Sequence, residues 1–192
     1  MGEEDEENEI KEIGSIYNLY IDDLFVYALS LGFDRETCMD AIQDVFCKIC
    51  ANEKLLESIT HIKFFLFRML KNRLIDIYKS RKDQVSFSDQ SITAFDEMPF
   101  NVKVTIEDQL INCEEEEKIK STIESMLKNL TNRQREIVYL RYSQGYNYSE
   151  IAELLSISVP SCRKLVHKSL SVLREKYPSL ESLKLILSLF YC

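Results

Sequence analysis

The chain is predicted to be all-α, with two small helical domains joined by a flexible acidic linker, the C-terminal one containing a helix-turn-helix. Three observations predict this. The 192 residues include only four Gly and three Pro, too few turn formers for many short strands, while the abundant Leu, Ile, Lys and Glu favour helix. Apolar residues recur at helical spacing over several long stretches. Between residues 83 and 114 that periodicity fades into DQVSFSDQSITAFDEMPFNVKVTIEDQLINCE. A structureless stretch of that length is uncommon inside one compact domain, so the chain divides there.

Taken in order, residues 1–12 form an acidic tail, and a first domain runs from 13 to 82. Its first helix places Ile16, Leu19, Tyr20, Leu24, Tyr27, Ala28 and Leu31 on one side, with Gly32 as terminator. A second, over residues 35–51, turns Ile42, Val45, Phe46 and Ile49 inward and Asp40, Gln43, Asp44 and Lys48 outward. After a polar loop from Asn52 to Thr60 comes IKFFLFRMLKNRLIDIYKSRK, with Leu66, Leu70, Leu74 and Ile77 on one arc. A second arc carries Arg68, Lys71, Lys79 and Lys82, with Phe64, Phe67, Ile75 and Tyr78 within or beside it. Cations interleaved with rings suit a surface that grips phosphates while bases stack. The plainer alternative is a core helix with a solvated cationic edge.

Beyond the linker, residues 115–177 form the second domain. Ile119, Ile123, Met126 and Leu127 mark one helix, and the Thr131–Gln134 pair is a capping box opening another that ends near Gly145. Residues 147–176 then read as a helix-turn-helix. Asn147 and Glu150 cap a helix from Tyr148 to Leu155, Ser156 and Ile157 turn, and Ser158 caps a helix with Pro160 in its first turn. On that last helix Cys162, Val166, Leu170 and Leu173 mark a buried face, leaving Ser161, Arg163, Lys164, His167 and Lys168 beside it. A helix that buries one stripe and presents cations next to it can enter a major groove. An amphipathic helical pair with a solvated basic face is the bland alternative. Residues 178–192 are an apolar tail, amphipathic through Leu180, Leu183, Ile186, Leu187 and Phe190, suited to packing onto the second domain, with a partner-protein site as the alternative.

The formal net charge of −8 seems to argue against nucleic acid, but its distribution does not. Residues 1–12 and residues 105–117 each carry a net −6, whereas residues 61–82 carry +6 and residues 158–176 carry +4. Two basic segments flank an acidic one. The six cysteines show no framework spacing, which fits a reducing cytoplasm. Cys47 and Cys50 have metal-ligand spacing, but no second pair is found and His61 is the only nearby nitrogen ligand, so neither metal nor cofactor is expected. No apolar run reaches the roughly 20 residues of a membrane span. With two histidines and no Gly-rich phosphate loop, no catalytic set can be assembled, and the chain is not expected to be an enzyme.

These blocks resemble the bacterial extracytoplasmic-function (ECF) sigma factors, which direct RNA polymerase to promoters. The resemblance runs from about Ile13 to Tyr177. DAIQDVFCKI (40–49) is similar to the family's polymerase-docking helix, and IKFFLFRMLKNRLIDIYKSRK comes after it with Asn72 and Asp76 at the family's Asn and Asp positions. LTNRQREIVYLRYSQGYNYSEIAELLSISVPSCRKLVHKSLSVLR is similar to the family's DNA-reading domain, departing from it at Pro160, Ser161 and Cys162. The resemblance implies that Asp40, Gln43 and Asp44 face the clamp of the polymerase's largest subunit. It implies that the loop at 52–61 captures a flipped base of the minus-10 element. Lys63, Phe64, Arg68, Lys71, Asn72, Lys79 and Lys82 would hold the opened strand, and Ser161, Arg163, Lys164, His167 and Lys168 the minus-35 element. Core polymerase clamp and flap, promoter DNA and an anti-sigma factor are the implied partners, and the linker would follow the polymerase's template-strand and RNA path. A helix-turn-helix regulator that never joins the polymerase and a helical interaction adaptor are the rival readings. The first would normally dimerise. The second has no use for two separated basic surfaces.

Overall fold

The computed structural model describes residues 3–52, 59–83, 98–101, 121 and 124–177, with side chains from residue 13 to residue 81 and beyond 97 within those ranges. The chain separates into two compact units, which divide between Met98 and Pro99. No strand occurs among the described residues.

The first unit packs three helices against one another: α1 (Glu3–Ser30), α2 (Arg35–Cys50) and α3 (Ile62–Asp83). The α1 backbone is helical from Glu3, so the helix begins within the block read as an acidic tail rather than after it. Gly32, at φ 84°, supplies the left-handed turn after α1 that a Cβ would oppose. Asp34 then caps α2, its Oδ1 accepting from the Thr37 amide at 2.8 Å and its Oδ2 from the Thr37 hydroxyl at 2.7 Å. Arg81 of α3 reaches this cap and donates to Thr37 Oγ1 at 2.7 Å, fastening the end of α3 to the start of α2.

The core of this unit joins Leu24, Tyr27 and Ala28 of α1 with Ile42, Val45 and Ile49 of α2 and Leu66, Leu70 and Leu74 of α3, all buried. Tyr17 packs edge-on to Phe46 at 4.9 Å, and Tyr27 lies 5.0 Å from Phe67. Burial of this apolar surface, at roughly 25 cal/mol per Å², is what holds three helices of modest intrinsic propensity together. The buried stripe of α3 is broader than its Leu spacing predicts. Phe67, Lys71 and Ile75 are buried with the leucines, whereas Ile77 is only half-buried.

The second unit is built on α4 (Asn132–Val138), a π-helical turn (Tyr139–Ser143), α5 (Tyr148–Leu154) and α6 (Val159–Lys176), preceded by a helical stretch at 124–128. Both predicted capping boxes form. Thr131 Oγ1 accepts from the Gln134 amide at 3.3 Å while Gln134 Oε1 accepts from the Thr131 amide at 3.0 Å. Asn147 Oδ1 accepts from the Ser149 and Glu150 amides at 2.9 and 3.0 Å, and Glu150 Oε2 from the Asn147 amide at 2.8 Å. The π turn is not visible in the spacing. It inserts one residue into the ladder, with the Gln144 amide bonded to the Tyr139 carbonyl at 3.1 Å, and Gly145 at φ 73° completes the reversal into α5.

The segment expected to lack structure contains an anchored piece. Phe100 is buried, with its ring 5.6 Å from that of Tyr139, and Asn101 Oδ1 accepts from Arg135 Nη1 at 3.0 Å. One aromatic in a polar run gives no periodic signal, so only the fold reveals this strap. The apolar tail at 178–192 and the remainder of the linker lie outside the described residues.

Candidate nucleic-acid interface

The helix-turn-helix is assembled as its residues dictate. In α5, Ile151, Ala152 and Leu154 are buried, and Leu155 after them. Ser156 takes φ 52° in the turn, a left-handed conformation that a non-glycine residue adopts at some cost. Ser158 then caps α6, its Oγ accepting from the Ser161 amide at 3.2 Å, with Pro160 in the first turn. Cys162, Val166 and Leu173 form the buried stripe as expected, but Ser169 takes the place assigned to Leu170, which is half-buried. The Ser169 hydroxyl donates to the Leu165 carbonyl at 2.7 Å, so its burial leaves no unmet donor.

Outside that stripe, Ser161, Arg163, Lys164, His167 and Lys168 are all exposed. The fold therefore leaves exposed every residue the sequence assigned to this helix, with Ser161 and Arg163 flanking the stripe and Lys164, His167 and Lys168 farther round. Two further residues belong with it. The Arg141 guanidinium lies 4.7 Å from the centre of the Tyr148 ring, and the Arg163 guanidinium lies 5.6 Å from the same centre. Arg141 is itself fixed by donating from Nη1 to the Tyr146 carbonyl at 2.8 Å. Neighbouring Tyr142 has its phenol pushed above the usual value by burial, with Tyr148 adding to the effect and Arg141 and Arg174 opposing it. Sequence reasoning missed the Arg141–Tyr148–Arg163 group because it spans a π turn and two helices, where no single-helix period can register it.

In the first unit the basic arc is narrower than expected. Arg68 is half-buried and Asn72, Asp76 and Lys79 are exposed, and steps of 4, 4 and 3 put these four on one face of α3. Lys71 departs from the expectation of a DNA-facing cation: only 2% of it is accessible. The reason is geometric, since Lys71 lies one turn after Phe67 and one turn before Ile75 and shares their inward direction. Lys63 is half-buried and paired with Asp23 of α1 at 2.8 Å, and Phe64 is half-buried. The side chain of Lys82 and residues 53–58 of the loop assigned to base capture lie outside the described residues.

On α2, Asp40 and Gln43 are exposed, and Asp44 is half-buried. Asp44 Oδ2 accepts from Arg73 Nε of α3 at 2.7 Å, a partner that its outward position did not foretell. Cys47 and Cys50 are exposed free thiols, while Cys38 and Cys162 are buried. Burial pushes the Cys38 thiol up to about 11, aided by the Asp34 carboxylate, and burial also raises the Cys162 thiol. Both behave as small hydrophobes. Among the described residues no group of three or more His, Cys, Asp or Glu could hold a metal ion, and no helix is long and apolar enough to cross a membrane.

Residues 120–173 match the family model for sigma-70, region 4. The chain is 23% identical over 167 residues to the ECF RNA polymerase sigma factor SigM of Bacillus subtilis, covering 86% of this chain and 94% of that protein. It is 26% identical over 141 residues to the ferric citrate uptake sigma factor FecI of Escherichia coli, covering 73% and 75% respectively. The fold is similar to that of the sigma factor RpoE from Bartonella quintana, solved in complex with the anti-sigma factor NepR. The TM-score is 0.57 at 22% identity, over 86% of this chain and 96% of that one. The exposed cations of α6 lie within the region 4 match, and the chain is similar to extracytoplasmic-function sigma factors along most of its length.

Proposed function

We propose that the chain binds core RNA polymerase and directs promoter recognition, DNA opening and transcription initiation, acting in the cytoplasm as an initiation factor rather than as a catalyst. The observation that carries this reading is α6, on which five polar or basic side chains are exposed outside a buried stripe. In this reading Ser161, Arg163, Lys164, His167 and Lys168 meet the minus-35 element, with Arg163 or Lys164 reading base edges and Lys168 clamping a phosphate. Residues nearer the N-terminus of a recognition helix sit deepest in the groove.

Residues 13–82 then serve as the polymerase-docking and minus-10 domain and residues 115–177 as the minus-35 domain, with 83–114 passing through the polymerase between them. Asp40 and Gln43 face the clamp of the largest subunit, with Asp44 shared between that contact and Arg73. Arg68, Asn72 and Lys79, beside Phe64, hold the opened strand, where unstacking a base costs a few kcal/mol that a pocket and phosphate contacts must offset. An anti-sigma factor is a further partner, by analogy with the one bound to the B. quintana protein.

Alanine substitutions at Arg163, Lys164, His167 and Lys168, each assayed with core polymerase on a minus-35 promoter library, test the reading. Loss of a base reader should cost roughly 1–3 kcal/mol and relax preference at one position, whereas loss of a phosphate contact should weaken all promoters alike. Four variants with unchanged output and selectivity would remove α6 from promoter recognition.

A further inference from the structure

Among the described residues of the helix-turn-helix, Tyr148 is the ring that lies under two guanidinium groups, Arg141 at 4.7 Å and Arg163 at 5.6 Å from its centre. Its place is fixed by the backbone. Tyr148 is the first residue of α5, directly after the Asn147 cap, and the reciprocal Asn147–Glu150 bonds at 2.8 and 3.0 Å lock that first turn. The ring is half-buried, so it is held against the unit while part of it stays accessible.

Arg163 is different in kind. It is exposed on α6, and its guanidinium lies over the ring, 5.6 Å from the centre. A free arginine side chain samples many rotamers and loses that freedom when it binds DNA. A ring that attracts the guanidinium face restricts those rotamers beforehand while leaving the N–H edge directed outward for a bidentate acceptor. Arg141 adds a second effect. Two like charges gathered at one ring repel each other, and that repulsion is relieved when an anionic or strongly accepting partner arrives.

We propose that Tyr148 is a positioning residue for promoter recognition, holding Arg163 in the orientation in which it contacts the minus-35 element. The inference rests on the reading of α6 as the promoter-reading helix. It assigns to Tyr148 no contact with DNA of its own. The ring face, not the hydroxyl, is what the role requires.

The test uses the full chain with core RNA polymerase and a minus-35 promoter library, comparing Tyr148→Phe and Tyr148→Leu in the natural background and with Arg163→Ala. An exposed cation–π contact alters an equilibrium by about 2-fold to 5-fold. Tyr148→Leu should therefore lower discrimination by that factor at the promoter position that Arg163→Ala relaxes. Tyr148→Phe should retain it. In the Arg163→Ala background Tyr148→Leu should have no further effect on discrimination. Should the Leu variant fail to fold, Tyr148→Met, which keeps bulk without a ring face, carries the same comparison. Full selectivity in the Leu or Met variant would overturn the inference, as would an undiminished loss in the Arg163→Ala background, which marks a merely structural role. If Arg163→Ala leaves selectivity intact while Lys164→Ala or His167→Ala relaxes it, the helix still reads the promoter and only the role given to Arg163 and Tyr148 falls. If none of the three matters, the reading of α6 falls with it.

Discussion

Exchanging Lys71 for Glu and Lys79 for Glu should separate folding from DNA contact within a single helix. Both residues are cations on α3, and spacing alone puts them in one basic arc, but Lys71 is 2% accessible and Lys79 is exposed. A carboxylate at position 71 would bury the opposite sign of charge where the fold encloses a lysine. Disrupting a buried charged site of this kind costs roughly 3–5 kcal/mol, a large share of the roughly 5–15 kcal/mol that stabilises a domain. For a unit of this size each kcal/mol lowers the melting temperature by about 4–8 °C, so Lys71→Glu should melt at least about 12 °C lower. Lys79→Glu should stay within about 0.5 kcal/mol of the natural protein yet weaken promoter opening. Urea and thermal unfolding monitored by circular dichroism give the first quantity, and permanganate footprinting with core polymerase gives the second. A Lys71→Glu protein as stable as the natural one but unable to open promoters would refute the assignment of Lys71 to the interior and return it to the DNA surface.

Phe100→Ala should destabilise the C-terminal unit by about 3–5 kcal/mol, because the buried ring packs on Tyr139; limited proteolysis should then cut near residue 100. Asn147→Ala, removing the cap of α5, should cost about 0.5–2 kcal/mol in a denaturant melt. Asp44→Ala should change stability by no more than about 1 kcal/mol, since its pair with Arg73 is partly exposed, whereas Asp40→Lys with Gln43→Lys should abolish capture of core polymerase in a pull-down without altering helicity. Cys38 carries a raised pKa, so its burial favours the folded state fully below the ordinary value of 9.0 and progressively less as pH rises towards about 11. Unfolding free energy should fall across that window, and Cys38→Ala should flatten the fall. In native protein Cys47 and Cys50 should alkylate rapidly and Cys38 and Cys162 only on unfolding, as peptide mass spectrometry will read.

What was legible in the sequence is what repeats along one helix. The α2 core residues Ile42, Val45, Phe46 and Ile49, both capping boxes and the exposed cations of α6 stem from 3.6-residue spacing and from the short-range chemistry of caps. What was not legible depends on contacts between elements. Helical phase set the leucines of α3 inward but left the width of the buried stripe undetermined, and Phe67, Lys71 and Ile75 are buried as well, Phe67 against Tyr27 of α1. Ser169 displaces Leu170 from the buried stripe because its hydroxyl can return a bond to its own helix. The Asp44–Arg73 pair joins residues 29 apart, and the Phe100 strap and the Tyr148 group depend on a π turn that no apolar period announces. The chain divides into two compact units between Met98 and Pro99, which puts residues 99–101 with the second.

Run-off transcription with purified core RNA polymerase and genomic fragments tests the central claim most directly. The chain, as a monomer that binds duplex promoters poorly alone, should make core polymerase initiate from a small set of promoters sharing minus-35 and minus-10 elements. Tight, promoter-selective binding by a dimer of the isolated chain, with no initiation when core polymerase is added, would contradict it.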